Sequence, residues 1–138
     1  MLSRKKAREA VFKLIFEYLF HKEENPKSLE LATSIDMSEK DFEYMRTVYE
    51  GVIDKYSDLT SYIEKYSDKF SLNRIYRPDL AALLLAIYEM KYMKDIPMSV
   101  SISEAVELVK TYSTEKSHQY VNGILSSVYK ELTKDADN

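Results

Sequence analysis

Apolar residues recur at intervals of three and four along nearly all of this chain, which is the spacing of one face of an α-helix. No segment shows the sustained alternation of apolar and polar residues that indicates a half-buried strand. Two glycines and three prolines in 138 residues leave few breaks between the helical segments. The pattern predicts an all-α fold, a compact bundle of about seven helices.

Local signals place the starts of several predicted helices. Ser38 and Asp41 have the spacing of a capping box, in which side chains at a helix start bond the first free backbone N–H groups. Ser101 and Glu104 repeat that spacing ahead of a later apolar segment. Pro26 suits the start of a helix over "PKSLELATS", because proline is tolerated in the first helical turn.

One predicted helix differs from the others because it is apolar on almost every side. It follows Pro78 in the segment "PDLAALLLAIYEMKYM" and stays apolar as far as Met90. A helix without a polar face must be surrounded by other elements. We therefore expect it to be the central and most buried helix of a single domain that spans residues 1–138.

Composition excludes several kinds of function. There is no cysteine, so disulfides, a thiolate nucleophile and a thiolate zinc site are excluded. His21 and His118 lie far apart and have no ligand-spaced carboxylate nearby, so no metal site is expected. The chain also lacks a glycine-rich phosphate loop and a nucleophile elbow. These observations favour a binding protein over an enzyme, with no cofactor.

The apolar stretch "AVFKLIFEYLF" follows a basic start and so looks superficially like a signal sequence. Lys13 and Glu17 interrupt it, because each charge costs about 2.5–3.5 kcal/mol at the centre of an inserted helix. Neither export nor membrane insertion is expected, and a cytoplasmic location fits the lack of cysteine.

Charge is distributed unevenly along the chain. The net charge is −3, yet residues 1–13 hold five basic groups against one acidic group, while residues 14–138 have a net charge of −7. A basic arm suits a polyanion, and an acidic body suits a basic partner. A solvated helix end with some excess charge is the alternative. Arg4 and Arg8 also continue the line of the apolar residues Val11 and Ile15, which is costly unless an anion faces them.

Two stretches of the chain resemble one known family. The N-terminal stretch "RKKAREAVFKLIFEY" is a basic start that leads into a helix. The C-terminal stretch contains "YEM", "IP", "SEAVELVK", "STEKS" and "YVNGIL", in that order. On these motifs, in this order and spacing, the chain resembles the NusB family of bacterial transcription antitermination factors.

The resemblance implies two packed helical subdomains and a function in transcription. It implies binding to box A RNA of ribosomal RNA transcripts, jointly with the ribosomal protein NusE. With other Nus factors, the pair would let RNA polymerase read through terminators. Two alternatives remain: a NusB-like RNA-binding module of a ribosomal RNA cytosine methyltransferase, and a helical protein–protein adaptor.

The resemblance and the charge pattern together select candidate RNA-binding residues. Basic side chains at the start of the chain would attract phosphates, and the "YVNGIL" motif would add an aromatic ring and an amide for the bases. If the first half of helix one lies beside the last helix, they form one site. Tyr120 could instead be a core residue. The candidates are Arg4, Lys5, Lys6, Arg8, Lys116, Tyr120 and Asn122.

A second set of residues is predicted to contact the basic ribosomal partner. Asp79 and Glu89 on the central helix offer negative charge, and Tyr18 of helix one is expected beside them. The alternative for Asp79 is that its carboxylate only stabilises the start of its own helix.

Gly123 is unusual because it stands in the middle of the last helix, where glycine costs about 1 kcal/mol relative to alanine. Its missing Cβ would let another backbone come close. We expect close packing of a neighbouring helix to explain Gly123, with approach of RNA as the alternative, while Asn122 beside it contacts RNA.

Overall fold

The computed structural model describes residues 4–21, 27–29, 37–67 and 71–137, without the side chains of 135–137. Within these ranges there is no strand, which confirms the all-α prediction. Of the helix expected over "PKSLELATS", residues 27–29 lie in the described ranges and are helical. The helices are α1 (Arg4–His21), α2 (Glu39–Asp54), α3 (Tyr56–Tyr66), α4 (Arg77–Tyr92), α5 (Met98–Tyr112) and α6 (Ser117–Asp137), with a 3-10 helix at Leu72–Arg74.

One of the two predicted capping boxes caps a helix. At α2, the Ser38 hydroxyl accepts a hydrogen bond from the backbone N–H of Asp41, with an N–O distance of 3.2 Å. At α5 the prediction is wrong, because the helix already begins at Met98, directly after Pro97. Pro97 has a φ of −59° and a ψ of 135°, the non-helical conformation of a residue that immediately precedes a helix. Ser101 is therefore inside the helix, where it is buried.

The helix α4 forms the centre of the fold, as predicted. Every residue from Asp79 to Met90 is buried. This helix packs against α1, α2, α3, α5 and α6. Around it, α1 packs on α2, and α6 packs on α5 and α3, which gives two packed groups of helices.

Gly51 marks a close approach between α2 and α4. A Cβ atom at this position would overlap the ring of Tyr88. The glycine therefore lets two helices come together at a point where a tyrosine fills the space between them. None of the helices in the described ranges is long and apolar enough to cross a membrane.

Candidate nucleic-acid interface

Arg4 lies at the first residue of α1, partly exposed and held in place by α2. Its Nε donates to Oδ1 of Asp41 at 2.8 Å. Its guanidinium also lies over the Tyr44 ring, 4.3 Å from the centroid. The arginine side chain is 38% exposed and that of Asp41 is 11% exposed. Arg4 is therefore pre-positioned at the surface, and its ion pair uses only one of its three nitrogens.

Lys5 and Lys6 are the most exposed cations of this region. The Nζ atom of Lys5 lies 3.2 Å from Oε2 of Glu104 on α5, and its side chain is 65% exposed. The Nζ atom of Lys6 lies 3.7 Å from Oε1 of Glu9, one turn further along α1. Both ammonium groups face water and can be reached by a phosphate.

Arg8 occupies a different environment, because its side chain is only 6% exposed. Its Nε donates to Oε2 of Glu89 at 2.8 Å, and Nη2 donates to Oε1 at 3.3 Å. The Ser101 hydroxyl donates to Oε1 of Glu89 at 2.7 Å. The Tyr44 hydroxyl donates to Oε2. This cluster of Arg8, Tyr44, Glu89 and Ser101, the Glu89 network, joins α1, α2, α4 and α5.

The Glu89 network corrects two of the sequence predictions. Glu89 is completely buried, so it does not lie on a surface that a protein partner can contact. Arg8 is buried against it and does not face a phosphate. Glu89 is the anion that the position of Arg8 on the apolar face of α1 requires. Burial and the adjacent Glu89 carboxylate also raise the pKa of Tyr44 far above its ordinary value, so its hydroxyl remains a donor.

The predicted residues in α6 and directly before it differ in their accessibility. Tyr120 is half-buried, and its hydroxyl shares a hydrogen bond of 2.7 Å with the hydroxyl of Ser67. Burial raises the pKa of Tyr120, although the bond with Ser67 opposes the rise. Asn122 and Lys116 are exposed. The ring of Tyr120 is thus anchored at one end, whereas the amide and the ammonium group are accessible.

Two shallow depressions lie beside the exposed residues of α6. One of about 400 Å³ lies between α5 and α6, where Asn122, Ser103 and Lys110 line it. The other, of about 440 Å³, is lined by Lys110, Lys116 and His118 among others. Lys110 lines both depressions, and sequence reasoning missed it. Its position on an exposed stripe of α5 is the only signal that could have selected it.

Gly123 is exposed, and a Cβ atom there would meet no atom of the described residues within 4 Å. The expectation that Gly123 packs closely on a neighbouring helix is therefore wrong. Gly51, inside α2, is the glycine that serves helix packing.

The start of α1 and the helix α6 are not packed together as predicted, because α5 lies between them. The Lys5 side chain reaches Glu104 of α5, and α6 packs on α5. The Glu89 network holds α1 against α4 and α5 through Arg8, which fixes this order. The surfaces beside α1 and α6 meet at Glu107 of α5. This residue lines a depression beside Lys5 and also the depression beside Asn122.

The two remaining candidate protein-contact residues, Tyr18 and Asp79, lie toward the other end of α1. The Tyr18 ring packs edge-on against Tyr56, with centroids 6.2 Å apart. Asp79 is 3% exposed and accepts a hydrogen bond of 2.9 Å from the Ser117 hydroxyl. Its other oxygen, Oδ1, is buried and has no hydrogen-bond partner among the described residues. Asp79 also lies in the first turn of α4, where a carboxylate is stabilised by the helix dipole.

Two exposed aromatic residues near this end of α1 were not selected from the sequence. Phe20 is 58% exposed and Tyr76 is 64% exposed. The Arg77 guanidinium lies 5.8 Å from the centroid of the Phe20 ring, which places the end of α1 beside the start of α4. Phe20 stands off the apolar face of α1, and that offset is the signal that could have identified it.

Comparison with known proteins covers almost the whole chain. The model of the NusB family matches residues 5–130. A transcription antitermination protein NusB of Acetivibrio thermocellus is 40% identical over 137 residues, which are 99% of this chain and 94% of the relative. The NusB protein of Clostridium novyi is 36% identical, covering 94% of this chain and 99% of its own length.

Solved structures agree with the sequence comparison. A structure of T. maritima NusB superposes with a TM-score of 0.84 at 37% identity, covering 94% of this chain and 92% of that one. A structure of the antitermination factors NusB and NusE in complex with double-stranded RNA superposes with a TM-score of 0.83 at 26% identity, covering 93% and 96%. The chain therefore belongs to the NusB family.

Proposed function

We propose that this chain is an RNA-binding transcription antitermination factor. With the ribosomal protein NusE it binds box A RNA of ribosomal RNA transcripts, and with other Nus factors it promotes read-through by RNA polymerase. One observation carries the proposal. In a chain that matches an antitermination protein over 99% of its length, the depression beside the accessible Lys5 and the depression beside the exposed Asn122 meet on α5, where Glu107 lines both.

The RNA backbone is held at the two ends of this surface. Arg4, Lys5 and Lys6 attract phosphates beside α1, and Lys116 does so beside α6. Lys110 lies on α5 and continues the positive charge toward Lys116. These contacts do not depend on the RNA sequence, because every nucleotide carries the same phosphate.

Sequence preference comes from the base contacts on α6. The Asn122 amide has both a donor and an acceptor for a base edge. Tyr120 offers the exposed part of its ring for stacking, and a stacked base contributes about 1–3 kcal/mol. Because Ser67 holds the Tyr120 hydroxyl, the ring is ordered before RNA arrives and loses little entropy on binding.

The basic protein partner is proposed to bind at the end of α1 and the start of α4. There, Tyr18 precedes the exposed Phe20 by two residues on α1, and Asp79 follows the exposed Tyr76 by three residues at the start of α4. Asp79 is itself buried, so its part is to hold Ser117 of α6 at the start of α4 through the hydrogen bond that it accepts. Glu89 takes no part, because it is buried in the Glu89 network.

Binding, not catalysis, is the proposed activity, since the sequence has none of the catalytic motifs considered above. A methyltransferase module is not favoured. The relatives named above are antitermination proteins that are matched over 94% and 99% of their own length.

The test is a titration of a labelled box A RNA with the chain alone and with NusE, beside a scrambled RNA of equal length. We expect preferential binding of box A RNA, strengthened by NusE. Lys5→Ala should weaken binding and reduce its salt dependence, because fewer counterions are released. Lys65→Ala, which removes an exposed cation on α3, is the matched control and should change neither. Equal affinity for both RNAs, with and without NusE, would refute the proposal.

A further inference from the structure

Each accessible cation at the start of α1 already has a carboxylate partner within the chain. Arg4 pairs with Asp41 on α2, and Lys5 pairs with Glu104 on α5. We propose that Asp41 and Glu104 compete with RNA phosphates for these two cations and thereby limit the affinity for any RNA backbone. This inference rests on the proposed function.

Asp41 is held in place independently of Arg4. It lies in the first turn of α2, where the helix dipole stabilises a carboxylate. Its backbone N–H is bonded to the Ser38 hydroxyl. Its side chain is only 11% exposed, so water screens its pair with Arg4 incompletely. A phosphate that binds the remaining nitrogens of Arg4 therefore comes close to the Asp41 carboxylate, which repels it.

Glu104 is held in a comparable way by a second cation. Its Oε2 lies 3.2 Å from Nζ of Lys5, and its Oε1 lies 3.5 Å from Nη1 of the buried Arg8. Arg8 is fixed by Glu89, so Glu104 remains beside α1 when Lys5 turns toward RNA. The negative charge then faces the incoming phosphate and repels it.

The geometry also sets the size of the effect. Both pairs are partly exposed, and such pairs are modest, so neutralising one acid should tighten RNA binding about two- to fivefold and neutralising both about tenfold. The factor should be the same for every RNA sequence, because only the backbone competes with the carboxylates. Without Asp41 and Glu104, the cations of α1 would attract the phosphates of any RNA more strongly, including an RNA whose bases make no contact with Asn122.

The experiment uses Asp41→Asn, Glu104→Gln and the double variant, which keep the shape of each side chain. Asp41→Asn also keeps the cap of α2, because that bond uses the backbone N–H. Asp58→Asn is the matched control, since it too removes one negative charge and releases a lysine, Lys91, but at α3 and α4. Circular dichroism melting confirms that each variant is folded.

The probes are a labelled box A RNA and oligouridylate of equal length, with Kd measured by fluorescence anisotropy between about 50 and 200 mM salt. We expect tighter binding of both RNAs by the same factor, with a gain that shrinks as salt rises. Asp58→Asn should change Kd by less than about twofold. A merely structural role for these acids predicts weaker binding instead, because Arg4 and Lys5 would lose their positions.

The outcomes separate this inference from the proposed function. Variants that bind no tighter than wild type, or a control that tightens binding equally, overturn the inference while box A binding by wild type stands. If wild type shows no preference for box A RNA, the proposed function fails. If the double variant then also binds neither RNA, the inference fails with it.

Discussion

Replacing Gly123 by alanine should raise the free energy of unfolding, whereas replacing Gly51 by alanine should lower it. In a helix interior, alanine is favoured over glycine by about 1 kcal/mol, mainly because the unfolded chain loses less entropy on folding. At Gly123 the new Cβ meets no atom of the described residues within 4 Å, so the whole gain should appear in the free energy of unfolding. For a chain of this size that corresponds to a rise in Tm of about 4 °C.

At Gly51 the same gain is opposed by overlap with the Tyr88 ring. Moving a packed side chain to admit a methyl group costs about 1–3 kcal/mol. The net result should be a loss of up to about 2 kcal/mol in the free energy of unfolding. Gly51→Ala is thus the matched control for Gly123→Ala, because both place the same side chain in a helix.

The assay is urea unfolding followed by circular dichroism, with thermal melts of the same samples. Destabilisation by Gly123→Ala would refute the reasoning, because it would mean that a neighbour occupies the space beside α6. The same variant also tests why glycine is present. If RNA approaches the helix backbone beside Asn122, Gly123→Ala should bind box A RNA more weakly although it is more stable.

Two further predictions concern the ion pairs. Glu89→Gln should cost about 3 kcal/mol in the free energy of unfolding measured by urea, because it leaves the buried Arg8 with only its longer ion pair to Glu104. A cost below about 1 kcal/mol would contradict the role of the Glu89 network. Burial alone would raise the pKa of Asp58, but the hydrogen bonds from Lys91 and Tyr92 outweigh it and lower that pKa. The stability from this pair should therefore be present above the ordinary carboxyl pKa of about 4 and be lost as the pH falls through the lower folded value. Asp58→Asn should cost less than about 1 kcal/mol at neutral pH, and this cost should shrink steadily as the pH falls below about 4 in the same assay. A cost that does not shrink in acid would count against the pair.

The central helix could be predicted from the sequence because its evidence is local. An apolar residue at nearly every position between Asp79 and Met90 leaves no side for water. The Ser38 cap was predictable for the same reason, since donor and acceptor are three residues apart. The Ser101 cap was wrong because Pro97 starts the helix earlier and the Ser101 hydroxyl bonds Glu89 of another helix.

The roles of Arg8 and Gly123 required the structure. The sequence placed Arg8 on the buried line of α1 and indicated that an anion must face it. It could not name that anion, because Glu89 lies 81 residues away. For Gly123 the sequence indicated a cost without showing what adjoins it. Both questions concern contacts between helices, which periodicity along one helix does not determine.

The position of the RNA surface is tested most directly by mapping it residue by residue. Amide chemical shifts of the ¹⁵N-labelled chain would be followed as box A RNA is added. We expect the largest changes at residues 4–6 of α1, at Lys110 on α5, and at Lys116 and Asn122 beside it. The surface around Asp58 and Lys91 should not change. Changes concentrated on that surface, with none at the start of α1, would contradict the central claim.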